Sequence, residues 1–139
     1  MASDHQYTHT SGTKFKGAHK MTVLEQEVAM ALFGAKKAIV GFCGDSSFIG
    51  PLFAWLAEPD GKPPKSSNFE LIALTSNKQI FTSFNLTSWV LVDKPYYAVG
   101  TGAQFALGAM HAGKSAAKAV EYASELDPSS GLGVTEIKI

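Results

Sequence analysis

Thr101 stands between Gly100 and Gly102, directly after the apolar run Tyr96–Val99 and before a segment of small residues. A glycine on each side lets the backbone turn sharply and lets another group approach it closely. Two uses fit that placement. Such a turn can receive a phosphate at the start of a helix, or it can bring a helix close against a sheet. No third glycine follows Gly102 at the dinucleotide spacing, and no Gly-Lys-Ser/Thr of a phosphate loop is read, so packing is the plainer use. His5 and His9 are four residues apart, but no third ligand or helical apolar face accompanies them, which makes them surface histidines before a metal site. The single cysteine, Cys43, excludes an internal disulfide and a cysteine-built zinc site.

The elements that position these residues follow from periodicity. Tyr96–Val99 reads as a buried strand. Ala103 to Ala112 reads as a helix of small residues with Phe105, Leu107 and Met110, closed by Gly113. Ser115 then caps an amphipathic helix to Leu126, with Ala119, Val120, Tyr122, Ala123 and Leu126 inward, and Pro128 stops it. Val134–Ile139 alternates as a terminal strand.

Upstream, Met1–Gly17 is polar and rich in turn formers, and 15–24 reads as a strand. Glu25 to Lys37 spaces Val28, Ala31 and Leu32 as a helix, with Gly34 arguing for an early end. Ala38–Gly44 is a buried strand. Asp45, Ser46 or Ser47 caps a helix to Ala57, with Pro51 tolerated near its start. Residues 59–67 form a loop, 69–75 and 79–84 a hairpin around Ser76-Asn77-Lys78, and 89–92 a further strand. The order predicts a layered α+β domain, such as two sheets sandwiched between helices.

At 139 residues the chain is predicted to form one domain, 1–139, with a real core. Lys+Arg and Asp+Glu both number 12, so nothing in the charge balance favours nucleic acid or an anionic membrane. Apolar content of 45% against 17% charge favours a partner or an oligomer. No signal peptide or membrane-length apolar run is visible, and a cytoplasmic origin is expected.

Five stretches, in order, resemble the proteasome β-subunit and HslV-type peptidase family. Ala2-Ser3-Asp4 resembles the Ala-Gly-Asp that ends the family's second strand. Lys16-Gly17-Ala18-His19-Lys20 resembles the approach to its lysine. Ile39–Asp45 resembles the strand-and-glycine entry to its first helix. Ala98-Val99-Gly100-Thr101-Gly102 resembles its Gly-Ser-Gly turn, and Asp127-Pro128-Ser129-Ser130-Gly131 its Asp-x-x-Ser-Gly turn. The resemblance implies an αββα four-layer sandwich of the N-terminal-nucleophile hydrolase type. It implies that Asp4 orients Lys20 and that Lys20 lowers the pKa of a nucleophile. Thr101, Asp127 and Ser130 would surround the α-amino group that acts as base, and Gly44 would offer its N–H to an oxyanion. From the residues alone the same positions are an ion pair, a turn hydroxyl and a turn or cap carboxylate.

The family's nucleophile is an N-terminal threonine on a strand preceding the Ala-x-Asp segment. Here Met1 immediately precedes Ala2-Ser3-Asp4, and Pro63-Pro64 leads almost directly into the Phe69 strand. The reading is therefore of a shortened, non-catalytic relative, with Asp4, Lys20, Gly44, Thr101, Asp127 and Ser130 as a vestigial site. It would serve as a homo-oligomeric ring or assembly component, with a tailed-phage virion (tail or neck) as the venue. No cofactor, metal, nucleic acid or membrane partner is expected, and no small-molecule ligand can be named. The alternative is a threonine peptidase whose N-terminus lies upstream of Met1. A strand edge left unpaired by a missing neighbour is predicted to face another subunit.

Overall fold

The computed structural model describes every residue except 9, 10, 12, 18 and 67, and only the backbone at Phe15. His9, and with it the His5–His9 pair, lies outside the described residues, as does Ala18. The chain forms two compact units: Met1–Lys20 with Tyr96–Lys138, and Met21–Pro95 with Ile139. Across them the structure is a mixed α/β arrangement of antiparallel sheets and four α-helices among the described residues.

The unit formed by the chain's two ends holds two short antiparallel pairs and two helices. β1 (Ala2–Asp4) pairs with β9 (Val134–Glu136), joining the extremes of the sequence. β2 (Gln6–Thr8) pairs with β3 (Lys14–Lys16). Polar Met1–Gly17 is thus largely strand, and the strand expected over 15–24 is broken. Its first part stays in the β2–β3 pairing as far as Gly17, whose N–H donates to the His5 carbonyl at 2.8 Å and where a Cβ would overlap one edge of the Tyr7 ring. These strands carry little apolar signal because their partners, not a buried face, supply their backbone hydrogen bonds.

Tyr96–Val99 forms no strand, and all four residues are partly exposed. The run follows Pro95, and no described strand pairs with it. α3 (Ala103–His111) and α4 (Ala116–Leu126) meet through Ala106, Ala119 and Ala123, with Ala98, Ala109 and Met110 at the margin. Small residues let the two backbones approach, which also narrows the buried stripe. Tyr122 and Leu126, expected inward, are 40% and 61% exposed. Ser115 caps α4 by accepting from the Lys118 N–H.

The second unit is a five-stranded antiparallel meander: β4 (Met21–Leu24), β5 (Ala38–Gly44), β6 (Phe69–Thr75), β7 (Ile80–Asn85) and β8 (Ser88–Val92). In β6, Phe69, Leu71, Ala73 and Thr75 are buried and their neighbours are half-buried, the period of two that a sheet imposes. α1 (Gln26–Phe33) ends at Gly34, whose φ of 63° suits glycine. A 3₁₀ turn, Ser46–Phe48, precedes α2 (Ile49–Ala57), because the Asp45 carboxylate accepts from the Ser47 N–H and closes the turn before the helix starts. Leu24, Val28, Phe33, Val40, Leu52, Leu56 and Leu71 form the core of this unit. Phe33 lies against Phe81 and Trp89, and Phe48 stacks on Phe69 at 4.8 Å.

Candidate active-site cluster

The turn after α4 organises the end-joined unit, and four of its five residues reach a carboxylate or a strand. Asp127 is the C-cap of α4 and is buried. Its Oδ2 accepts from the Thr101 hydroxyl at 2.6 Å and from the Ser130 hydroxyl at 2.7 Å; its Oδ1 accepts from the Ser129 N–H at 3.0 Å. Pro128 offers its carbonyl to the Gln6 amide at 2.8 Å. Gly131 donates its N–H to Asp4 Oδ2 at 2.9 Å and accepts the His5 N–H at 3.0 Å. Asp4, at the end of β1, uses Oδ1 to hold Lys20 Nζ at 2.8 Å, and both side chains are only 14% exposed.

Asp4 and Lys20 thus form one hydrogen-bonded group and Thr101, Asp127 and Ser130 another, and Gly131, next in the chain to Ser130 and donating to Asp4, is the bridge between the two carboxylates. Gly44 lies in the other unit, at the end of β5, with a φ of 129° and the Asn68 carbonyl close to where a Cβ would be.

The local backbone explains how the set is held. Gly100 has a φ of 96°, so the chain can turn before α3 and present Thr101. Gly102 has no space for a side chain: a Cβ would stand 2.9 Å from Ser130 Oγ and 3.3 Å from Asp127 Oδ2. The Gly-Thr-Gly turn is thus a close-packing device. Gly131, at φ 146°, aims its N–H at Asp4 where a side chain would be strained.

The electrostatics follow from these contacts. Burial by itself would raise the Asp127 carboxyl. The hydrogen bonds from Thr101, Ser129 and Ser130, aided by the Lys14 charge, outweigh it and hold the group below the ordinary carboxylate range. Asp127 is therefore an anion that fixes two hydroxyls as donors, leaving their lone pairs to accept from an incoming amine or water. Lys20, ion-paired with Asp4 and only 14% exposed, places a cation that would favour the deprotonated form of a hydroxyl or amine set beside it. Among the described residues no three His, Cys, Asp or Glu side chains gather as metal ligands. No helix among them is long and apolar enough to cross a membrane.

Three features were missed from sequence. Buried Gln6 ties β2 to the Pro128 carbonyl and to Thr8; its placement two residues after Asp4 was the available signal. Tyr7 lays its ring toward Lys20, with Nζ 5.0 Å from the centroid. The third is Gly108-Ala109-Met110-His111-Ala112-Gly113-Lys114-Ser115, which matches phosphate-loop spacing. The structure gives this string no strand–loop–helix setting. Gly108–His111 is the last part of α3, and the Ser115 hydroxyl caps α4.

No family model and no curated protein matches the chain. Solved structures do. BPH from Thiobacillus denitrificans is similar with a TM-score of 0.69 and 20% identity, over 96% of this chain and 88% of that one. BPH in complex with epoxomicin gives 0.67 and 18% over the same shares. Anbu, an ancestral beta-subunit from Yersinia bercovieri, gives 0.63 and 13%, over 96% of this chain and 73% of its own. At these identities the likeness is one of fold, and the chain has a proteasome-like N-terminal-nucleophile fold.

Proposed function

We propose that the chain is a subunit of a proteasome-like threonine peptidase, with the Asp4–Lys20 and Thr101–Asp127–Ser130 set as the frame for an N-terminal threonine carried on residues upstream of Met1. In this reading residues 1–139 belong to a single domain with the αββα layering of that fold, and Gly44 serves as an oxyanion donor. One observation carries the proposal: an ammonium, Lys20, is held largely out of solvent on Asp4 in the same unit as the Thr101–Asp127–Ser130 cluster. Lys20 would lower the pKa of the threonine hydroxyl, and Thr101 and Ser130 would accept from the α-amine that takes its proton.

A second reading is a non-catalytic subunit of a homo-oligomeric assembly, for which a virion tail or neck is the proposed venue. It is favoured by one observation: both hydroxyls of the set already donate to Asp127.

One experiment separates the two. The protein is purified from its native source, its intact mass is measured, and it is treated with epoxomicin. The peptidase reading expects a mature chain that opens on threonine and gains one inhibitor. A mature chain beginning at Met1 or Ala2 that gains none overturns it and leaves the assembly reading.

A further inference from the structure

We infer that Tyr7 is a positioning residue for Lys20, its ring forming one wall of the seat in which the ammonium is held. An ammonium can donate in three directions, and Asp4 fixes only one of them. A lysine on a flexible four-carbon stem, tied at one point, keeps much of its rotational freedom. Here a second constraint exists: Nζ lies 5.0 Å from the centroid of the Tyr7 ring, within the range where a cation is attracted to an aromatic face. The lysine side chain is only 14% exposed, and a cation–aromatic attraction is stronger for a cation withdrawn from solvent than for one at the surface.

The placement of the ring is itself enforced. Gly17 lies against one edge of it so closely that a Cβ there would overlap two ring carbons, so a glycine at this position is what leaves room for the ring. The phenol hydroxyl is buried with no hydrogen-bond partner among the described residues. A buried unpaired hydroxyl is unfavourable, so the site is arranged for the ring and not for the oxygen. Burial first, then the Asp4 charge, pushes the phenol up, so the ring stays neutral with its electron-rich face intact. Tyr7, Gly17, Asp4 and Lys20 thus make one unit: the ammonium meets a carboxylate and an aromatic ring, and a glycine lies at the ring's edge.

The consequence for function rests on the peptidase reading of the cluster; the consequence for geometry does not. The full chain, labelled with ¹³C at the lysine ε position, is examined by NMR. The Lys20 ε-CH₂ protons are expected upfield of the other lysines, from the ring current, with cross-relaxation to the Tyr7 ring. Tyr7→Phe should keep both signals, and Tyr7→Leu should lose both. Gly17→Ala, which pushes the ring aside without removing it, should weaken them. The same variants in the mature protein are timed for capture by epoxomicin, with a loss of about tenfold for Tyr7→Leu and none for Tyr7→Phe. A wild-type Lys20 resonance among the solvent-exposed lysines overturns the inference even if every variant misfolds. A capture rate equal in Tyr7→Leu and wild type also overturns it. Normal ring-current signals with no capture by wild type would instead count against the peptidase reading and leave the positioning of Lys20 intact.

Discussion

The two units hold their geometry by different means. In Met21–Pro95, a sheet of buried aliphatic residues lies with α1 and α2 over a core that includes Leu52, Leu56 and Leu71, each fully buried. Burial is non-directional, so this unit is specified by volume and alternation. In the end-joined unit the buried apolar cluster consists of three alanines, Ala106, Ala119 and Ala123. Its shape is fixed by directional bonds among Asp4, Lys20, Thr101, Asp127, Ser130 and Gly131. One region provides stability that tolerates repacking; the other provides placement that tolerates little change of any kind.

The largest expected effect tests the first half of that contrast. Leu71→Ala removes a fully buried side chain from the middle of the sheet and should cost about 3 kcal/mol, read from the midpoint of urea unfolding. Leu71→Met should cost less than about 1.5 kcal/mol. If the two variants lose equal stability, the sheet core is as exacting as the polar cluster, and the contrast is lost.

The second test addresses the cluster. Asp127→Asn keeps the shape but withdraws the charge from three hydrogen bonds, and should cost about 2 kcal/mol. An isosteric change that costs nothing would mean that the network follows the fold without shaping it.

The third test uses pH. The folded Asp127 carboxyl titrates below its unfolded value, so its contribution is fully present above the ordinary carboxylate range. It is lost as pH falls from that range through the lower folded value. Wild-type stability should therefore decline in acid more steeply than that of Asp127→Asn, with the two curves converging at the acid end. Parallel curves from neutral pH to acid would remove the carboxylate from the account.

The smallest effects come from two glycines of neighbouring sequence. Gly102→Ala drives a methyl into the Ser130 hydroxyl and should destabilise by about 1–2 kcal/mol. Gly108→Ala, in the interior of α3 with open space around the new methyl, should stabilise by up to about 1 kcal/mol. Opposite signs at these positions would show how sharply the packing demand falls off away from the cluster.

Much of the sheet was legible in sequence because burial writes itself into alternation. Phe69, Leu71, Ala73 and Thr75 display it, and the turn at Ser76-Asn77-Lys78 divides the hairpin as expected. β1 and β2 were not legible, since polar residues paired to distant partners carry no periodic apolar signal. Tyr96–Val99 failed in the opposite sense: it has the composition of a strand, and no described strand pairs with it. At the cluster, the short strings around Asp4, Lys20, Thr101 and Asp127 were readable through resemblance to a family. The role of Gln6, the Gly131 bridge and the Tyr7–Gly17 contact were not, because each depends on backbone placement across more than a hundred residues or on a ring meeting a missing side chain.

The pairing of β1 with β9 also sets an order of events during synthesis. Met21–Pro95 is one uninterrupted segment, and its sheet is a meander of sequence neighbours, so its strands can pair while the ribosome is still adding α3 and α4. Ala2–Asp4 must wait for Val134–Glu136 to emerge. Asp4 meets the Gly131 N–H only after residues 127–136 have left the ribosome. Any chemistry at this cluster is therefore withheld from a nascent chain until that stretch has emerged.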